Sequence, residues 1–208
     1  MTSGRLIVVR HGESESNAQD VWTGVTDVDL TPKGHADGRA MGELLRDVGI
    51  DVVYTSCQRR TVQTRDEILA AHGQTGAELK KTAALNERDY GDYTGLNKWQ
   101  VRDRVGRTVF KVLRRAFDAP IPNGETLRDV SERVVPWYQA VVVPQLLAGS
   151  SVLIVGHGNS CRVLRKYVED VGDGAFKDLE MDFDKAFVYR VDAAGRASGA
   201  PEVRRLQA

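Results

Sequence analysis

Cysteine is scarce in this chain of 208 residues, which carries only Cys57 and Cys161. Two thiols cannot staple a small disulfide scaffold, and they are read as reduced thiols of a cytosolic protein. Net charge is missing too. Lys plus Arg and Asp plus Glu both number 29, so no surface-wide field exists to draw nucleic acid or an acidic membrane. Any anion site has to be a local cluster. Long apolar runs are also lacking. None approaches the ~18 residues of a membrane span, and the apolar run at Leu6–Val9 is too short for a signal-peptide core. Repeats, low-complexity tracts and Pro- or Ser-rich linkers are absent. The expectation is one domain over 1–208, cytoplasmic, with 192–208 as a loosely held tail.

What is present has the balance of an ordinary globular protein, 41% hydrophobic and 28% charged, with length enough for a sizeable core. Short apolar runs alternate with helical periodicity. Leu6–Val9 reads as a buried strand, Asp51–Thr55 as a second and Ser151–Val155 as the clearest after the first. Thr82–Leu85 reads as a short strand and Ala186–Val191 as the last. Between them, Thr31-Pro32 has the form of a helix cap followed by Pro in the first turn. Ser56 is placed to cap a helix carrying Val62, Ile68 and Leu69, and two helices fit roughly 98–117. Thr126–Leu147 is mostly helical, divided or kinked by Pro136 and Pro144. Strands alternating with helices predict an α/β fold: a three-layer α/β/α sandwich around a mostly parallel sheet.

The polar residues follow the strands. The first run ends in Arg10-His11-Gly12, the second in Ser56 with Arg59 and Arg60 one turn on. Asn86-Glu87-Arg88 follows Thr82–Leu85, and Gly156-His157-Gly158-Asn159 follows the run at Ser151–Val155. If the strands are parallel, these clusters share the carboxyl edge of the sheet, where open α/β sheets bind ligands. Singly, each has a plain alternative: a loop histidine, solvated arginines, a surface ion pair. Jointly they form a set rich in Arg and poor in metal-ligand groupings. Planar guanidinium forks suit an anion, most simply a phosphate.

Arg10-His11-Gly12-Glu13 resembles the signature of the histidine phosphatase superfamily. The longer pieces RHGESESN, WTGVTDVDLT, LNERDYG, GLNK, LRRAFD and GHGNS, in that order, resemble its cofactor-dependent phosphoglycerate mutase family, over about Leu6 to Val168. The resemblance implies a phosphoglycerate mutase-like fold, phosphoglycerate substrates, 2,3-bisphosphoglycerate as primer, and no metal. It implies that His11 is the residue phosphorylated, that Arg10 and Arg60 hold the transferring phosphoryl group with help from His157, and that Glu87 is the general acid and base. It places Asn17, Thr23, Gly24, Arg88, Tyr90 and Lys98 in the substrate pocket with Arg114, Arg115, Gly158 and Asn159, and Ser14 in the phosphate-binding loop. Three stretches depart from the family pattern. Val25 replaces a large residue, the connection from Pro122 to Glu125 is short, and MDFDKAFVYRV replaces a stretch with Pro and Thr-Gly.

These residue types suit phosphoryl transfer. A neutral imidazole is a good nucleophile for phosphorus and a good leaving group afterwards. Nearby cations keep it neutral and offset charge on the equatorial oxygens. The resemblance makes interconversion of 3-phosphoglycerate and 2-phosphoglycerate, in glycolysis and gluconeogenesis, the expected function. A phosphomonoester hydrolase of the same superfamily is the alternative, with water as acceptor. A binding protein that has lost catalysis is a third reading, against which stand His11, Arg10, Arg60, Glu87 and His157, all present. Association into homo-oligomers is left open by the sequence.

Overall fold

The run Leu6–Val9 is at most 1% exposed along its length, so it needs a packed layer on both sides. In the computed structural model, which describes residues 4–207, it forms β1 (Leu6–Arg10). The chain continues through α1 (Glu15–Ala18), α2 (Pro32–Leu44), β2 (Val52–Thr55), α3 (Arg59–His72) and β3 (Glu78–Lys81). Next come α4 (Lys98–Val105), α5 (Arg107–Arg115), α6 (Leu127–Trp137) and α7 (Val143–Leu147). Then follow β4 (Val152–Gly156), α8 (Gly158–Val168), α9 (Asp173–Phe176), β5 (Lys185–Tyr189) and β6 (Glu202–Arg205). The strands form one sheet in the order β3-β2-β4-β1-β5-β6. The first four run parallel, whereas β5 is antiparallel to β1 and β6 to β5.

Alternate side chains of the central strands enter two cores. Leu6, Val8, Tyr54, Val152 and Ile154 pack against Leu127, Val130 and Val134 of α6, Leu146 of α7 and Leu164 of α8. Ile7, Val9, Val53, Leu153 and Val155 pack against Met41 and Leu45 at the end of α2 and Ile68 of α3. This is the three-layer α/β/α sandwich. Each fully buried aliphatic side chain contributes roughly 1.5–3 kcal/mol, and a one-residue slip would exchange the two faces of β1.

Local structure departs from the sequence pattern in four places. Thr82–Leu85 is not a strand. Its Thr82 hydroxyl accepts the Ala84 N–H at 3.2 Å and caps a 3-10 turn at Ala83–Leu85. The strand lies just before it, at β3, a polar edge strand without apolar alternation. Ser56 is not the cap of α3, whose N-cap is Gln58. The helical path through 126–147 is continuous, with a π-helical segment at Tyr138–Val142 lying between the two prolines that interrupt the backbone ladder. The tail is also held through its described part, residue 208 lying outside the described residues. β6 pairs with β5, and Arg204 donates to Asp47 at 2.8 Å and to the Leu44 carbonyl at 2.9 Å. Composition suggests a loose end there, but the open edge of β5 supplies a partner.

Parallel β1, β2 and β4 bring the residues that follow them to one edge. The His11 N–H donates to the Gly156 carbonyl at 2.9 Å, extending the β1–β4 ladder one step beyond the sheet. The loop after it is then pressed onto α2. A Cβ on Gly12 would run into the Gly34 carbonyl, and one on Gly34 into the Glu13 carbonyl, so backbone touches backbone here. Gly34→Ala is expected to lower the unfolding free energy by about 1–3 kcal/mol and to displace the loop that carries His11. Gly49→Ala, which meets open space, should stay within about 0.5 kcal/mol. Urea titrations of the two variants beside the wild type check both; equal midpoints would show that the α2 contact is slack.

Candidate active site

His11 stands at the end of β1 and is only 2% exposed. Its Nδ1 lies 2.6 Å from the Gly12 carbonyl. A carbonyl only accepts, so Nδ1 carries the proton and Nε2 keeps its lone pair. Burial pushes the pKa well below the usual imidazole range, and Arg60 and Arg10 push the same way. The Gly12 N–H donates to Thr64 Oγ1 at 3.0 Å, which ties the loop to α3.

His157 precedes α8, fully buried, with its ring centroid 5.0 Å from that of His11. Arg60 Nε donates to its Nδ1 at 3.2 Å, and its Nε2 lies 2.8 Å from Ser56 Oγ. The guanidinium has only protons to give, so Nδ1 is the acceptor and Nε2–H the donor. Ser56 Oγ in turn lies 2.8 Å from Thr61 Oγ1, which donates to the Gln58 carbonyl at 2.8 Å. The hydroxyl relay thus fixes the tautomer of His157. Its pKa is held well below the usual range, first by burial and then by Arg60. The expectation put His157 against the phosphoryl group. The structure turns both ring nitrogens toward Arg60 and Ser56, outside the lining of the cleft.

Two arginines dominate the inner cleft. Arg60 is 1% exposed, and its Nη1 and Nη2 donate to the carbonyls of Thr26 at 2.9 Å and Gly24 at 3.1 Å. Burial lowers its pKa to about 10, which still leaves it charged at neutral pH. Arg10 Nη1 donates to the Met181 carbonyl at 3.1 Å, while its Nε is buried with no hydrogen-bond partner among the described residues. Neither cation forms a salt bridge among the described residues; carbonyl oxygens and His157 hold them, and the Glu87 carboxylate in the same cleft acts on both from a distance.

Glu87 is buried on the loop after Ala83–Leu85. Its Oε1 accepts the N–H of Arg88 at 2.8 Å and of Asn159 at 3.3 Å. Gln58 holds the same loop, accepting the Glu87 N–H at 2.8 Å through Oε1 and donating Nε2 to the Gly24 carbonyl at 3.0 Å. Trp22 stacks on Tyr90 with centroids 5.2 Å apart and the planes 6° from parallel, and the Tyr90 hydroxyl accepts from Asn159 Nδ2 at 2.8 Å.

The cleft gathers Arg10, His11, Asn17, Thr23, Gly24, Arg60, Glu87, Tyr90, Lys98, Arg114, Arg115, Gly158 and Asn159. Besides His157, two expected residues are elsewhere. All three guanidinium nitrogens of Arg88 donate to backbone carbonyls, of Glu125 at 2.6 Å, Leu113 at 2.8 Å and Ala119 at 3.0 Å. It is a buried clamp beneath the site, because the carbonyls at the end of α5 and in the following turn need donors there. The Ser14 hydroxyl is taken up in capping α1, donating to Asn17 Oδ1 at 2.9 Å. Arg59 is exposed and pairs with Asp27 and Asp29. Conversely, Val21, Trp22, Arg162, Glu180 and Met181 line the cleft without having been singled out. For Arg162 the helical step from Asn159 was the available signal, since residues three apart share a helix face; Arg162 Nη1 lies 3.3 Å from Asn159 Oδ1.

Residues 6–204 match the family model described as histidine phosphatase superfamily (branch 1). A 2,3-bisphosphoglycerate-dependent phosphoglycerate mutase of Bartonella tribocorum is 45% identical over 88% of this chain and 90% of its own. The enzyme of that name from Rhizobium rhizogenes is 40% identical over 99% of this chain and 92% of its own. Among solved structures, a mycobacterial glucosyl-3-phosphoglycerate phosphatase superposes with a TM-score of 0.79 at 20% identity, covering 97% of each chain. The YhfR protein of Bacillus stearothermophilus superposes with a TM-score of 0.81 at 24% identity, over 94% of this chain and 98% of its own. At such identities these two structures show the shared fold alone.

The folded chain keeps His11 and His157 neutral, whereas each unfolds to an ordinary imidazole with a pKa of about 6.5. Below that pH the unfolded chain binds protons that the folded chain refuses. The unfolding free energy should therefore fall as pH drops, by about 1.4 kcal/mol per pH unit for each histidine. His11→Asn removes one refused proton, so its stability should fall less steeply than that of the wild type by about that slope. Urea titrations between pH 5 and 7 read the difference; identical slopes would mean that folded His11 accepts a proton.

Proposed function

The chain belongs to the 2,3-bisphosphoglycerate-dependent phosphoglycerate mutase family of the histidine phosphatase superfamily, and from that premise we propose that it interconverts 3-phosphoglycerate and 2-phosphoglycerate through a phosphohistidine at His11. The observation that carries the reading is one cleft holding a neutral His11 beside Arg10 and Arg60, neither of them in a salt bridge among the described residues, together with a second set of cations, Lys98, Arg114, Arg115 and Arg162. One reacting phosphate needs the first set. A substrate with a further phosphate or carboxylate needs the second.

His11 Nε2 attacks phosphorus along its free lone pair, while Nδ1–H stays on the Gly12 carbonyl and fixes the ring. Arg10, through its unpartnered Nε, and Arg60 offset charge on the equatorial oxygens. His157 acts one step back, orienting Arg60 through Nδ1. Glu87 keeps Oε1 on two backbone N–H groups and uses Oε2 to take the proton of the attacking glycerate hydroxyl or return it to the leaving oxygen. 2,3-Bisphosphoglycerate, when bound, supplies the phosphoryl group that first charges His11. The two cation sets fit a molecule with anionic groups at both ends. Since guanidinium groups supply the charge, we propose that the reaction needs no metal. The enzyme would act in the cytoplasm, in glycolysis and gluconeogenesis, on small-molecule phosphoglycerates.

Hydrolysis of a phosphomonoester is the second reading, favoured by the departure of the Met181–Val191 stretch from the family pattern. Turnover of metal-stripped protein with 3-phosphoglycerate, with and without catalytic 2,3-bisphosphoglycerate, separates the two. Fast isomerisation that depends on the primer and releases little inorganic phosphate is expected; phosphate release without isomerisation would establish the hydrolase. His11→Ala should abolish both phosphoryl uptake and turnover. Glu87→Gln should slow transfer to the hydroxyl by about 10²–10⁴-fold while still accepting phosphate on His11, and an unchanged rate would remove Glu87 from proton transfer.

A further inference from the structure

The stretch from Leu179 to Phe183, between α9 and β5, crosses the site under the hold of several arginines. Arg162 Nε donates to the Leu179 carbonyl at 2.7 Å, and Arg165 to the Glu180 carbonyl. The Glu180 carboxylate pairs with Arg115 at 2.5 Å, and the Met181 carbonyl accepts from Arg10 at 3.1 Å. Asp182 is drawn aside by Lys185. Phe183 then lies over Arg10, whose Cζ is 3.7 Å from the ring centroid, and meets His11 edge-on with centroids 6.0 Å apart. The face of an aromatic ring attracts a guanidinium, more so out of water. The Met181 carbonyl and the Phe183 ring therefore set where Arg10 sits, and the same ring covers one side of His11.

We propose that Phe183 positions Arg10 and shields His11, so that the phosphoryl group on Nε2 passes to a glycerate hydroxyl and not to water; this rests on the mutase reading. In both fates the P–Nε2 bond breaks and its electron pair returns to nitrogen. In transfer, the glycerate oxygen forms the new P–O bond and its proton goes to Glu87. In hydrolysis, a water oxygen forms that bond, gives up its proton in the same way, and inorganic phosphate leaves. Water and the hydroxyl are alike as nucleophiles, so only orientation and exclusion separate them. An apolar ring set edge-on to the imidazole supplies exclusion on that side, and its grip on Arg10 supplies orientation of the phosphoryl oxygens.

The test charges the protein on His11 with phosphoramidate and follows two quantities: the lifetime of the phosphohistidine without acceptor, and the ratio of inorganic phosphate to 2-phosphoglycerate with 3-phosphoglycerate present. Phe183→Ala is expected to shorten the lifetime and raise the ratio, each at least tenfold, with a lower kcat and a nearly unchanged KM, because Lys98, Arg114 and Arg115 remain. Phe183→Leu keeps apolar cover without the ring face, so it should recover lifetime but not kcat. It also serves as the reading variant if Phe183→Ala does not fold. A lifetime and ratio equal to wild type in a folded variant would overturn the proposal. A wild type that makes no 2-phosphoglycerate would instead sink the mutase reading, and the shielding would still be decided by the lifetimes without acceptor.

Discussion

Positive charge placed in the interior with no carboxylate bonded to it is the constraint around which this molecule is arranged. Arg60 is buried and Arg10 partly so, and desolvating a cation is costly unless its donors are met. Here the carbonyl oxygens of Gly24, Thr26 and Met181 and the Nδ1 of His157 accept from them. A carbonyl satisfies an N–H yet leaves the net charge in place. That charge adds to burial in holding the pKa of the neighbouring imidazoles down, and it leaves a field that an anion can complete.

The loops exist in their present shape to deliver those carbonyls. The stretch around Gly24 and Thr26 is fastened by Arg60 and again by Gln58, which reaches on to the Glu87 backbone. The 179–183 stretch is fastened by Arg162 and Arg165 from α8. Arg88, beneath the site, joins the Glu87 loop to the end of α5 and to Glu125. Arginine thus serves twice, as the charge offered to a ligand and as the rigid fork that holds the walls. The parallel sheet provides the fixed floor from which these distances are set.

The same floor carries phosphatases. A glucosyl-3-phosphoglycerate phosphatase shares this fold at 20% identity, so the architecture does not choose between hydroxyl and water as acceptor. What differs between acceptors is access to one nitrogen and the aim of the oxygens on phosphorus. Both are properties of the segments above the sheet edge, of which the stretch around Phe183 is one.

The sequence by itself determined the central strands and the edge on which chemistry gathers. Runs such as Leu6–Val9 and Val152–Val155 are apolar on both faces and can only be buried between layers; the polar residues directly after them are then carried to the carboxyl edge. Short-range signals failed where a distant partner decided the outcome. β3 has no apolar alternation and exists because β2 offers an edge, and β6 forms because β5 does. Ser56 and Ser14 both resemble phosphate-loop or capping residues locally, yet one relays to His157 and the other caps α1. Only the tertiary structure decided which arginines face the cleft. A long flexible side chain goes where unpaired carbonyls lie; Arg88 and Arg162 both do so, yet only Arg162 also borders the cleft, and neither placement is encoded within a few residues of the arginine itself.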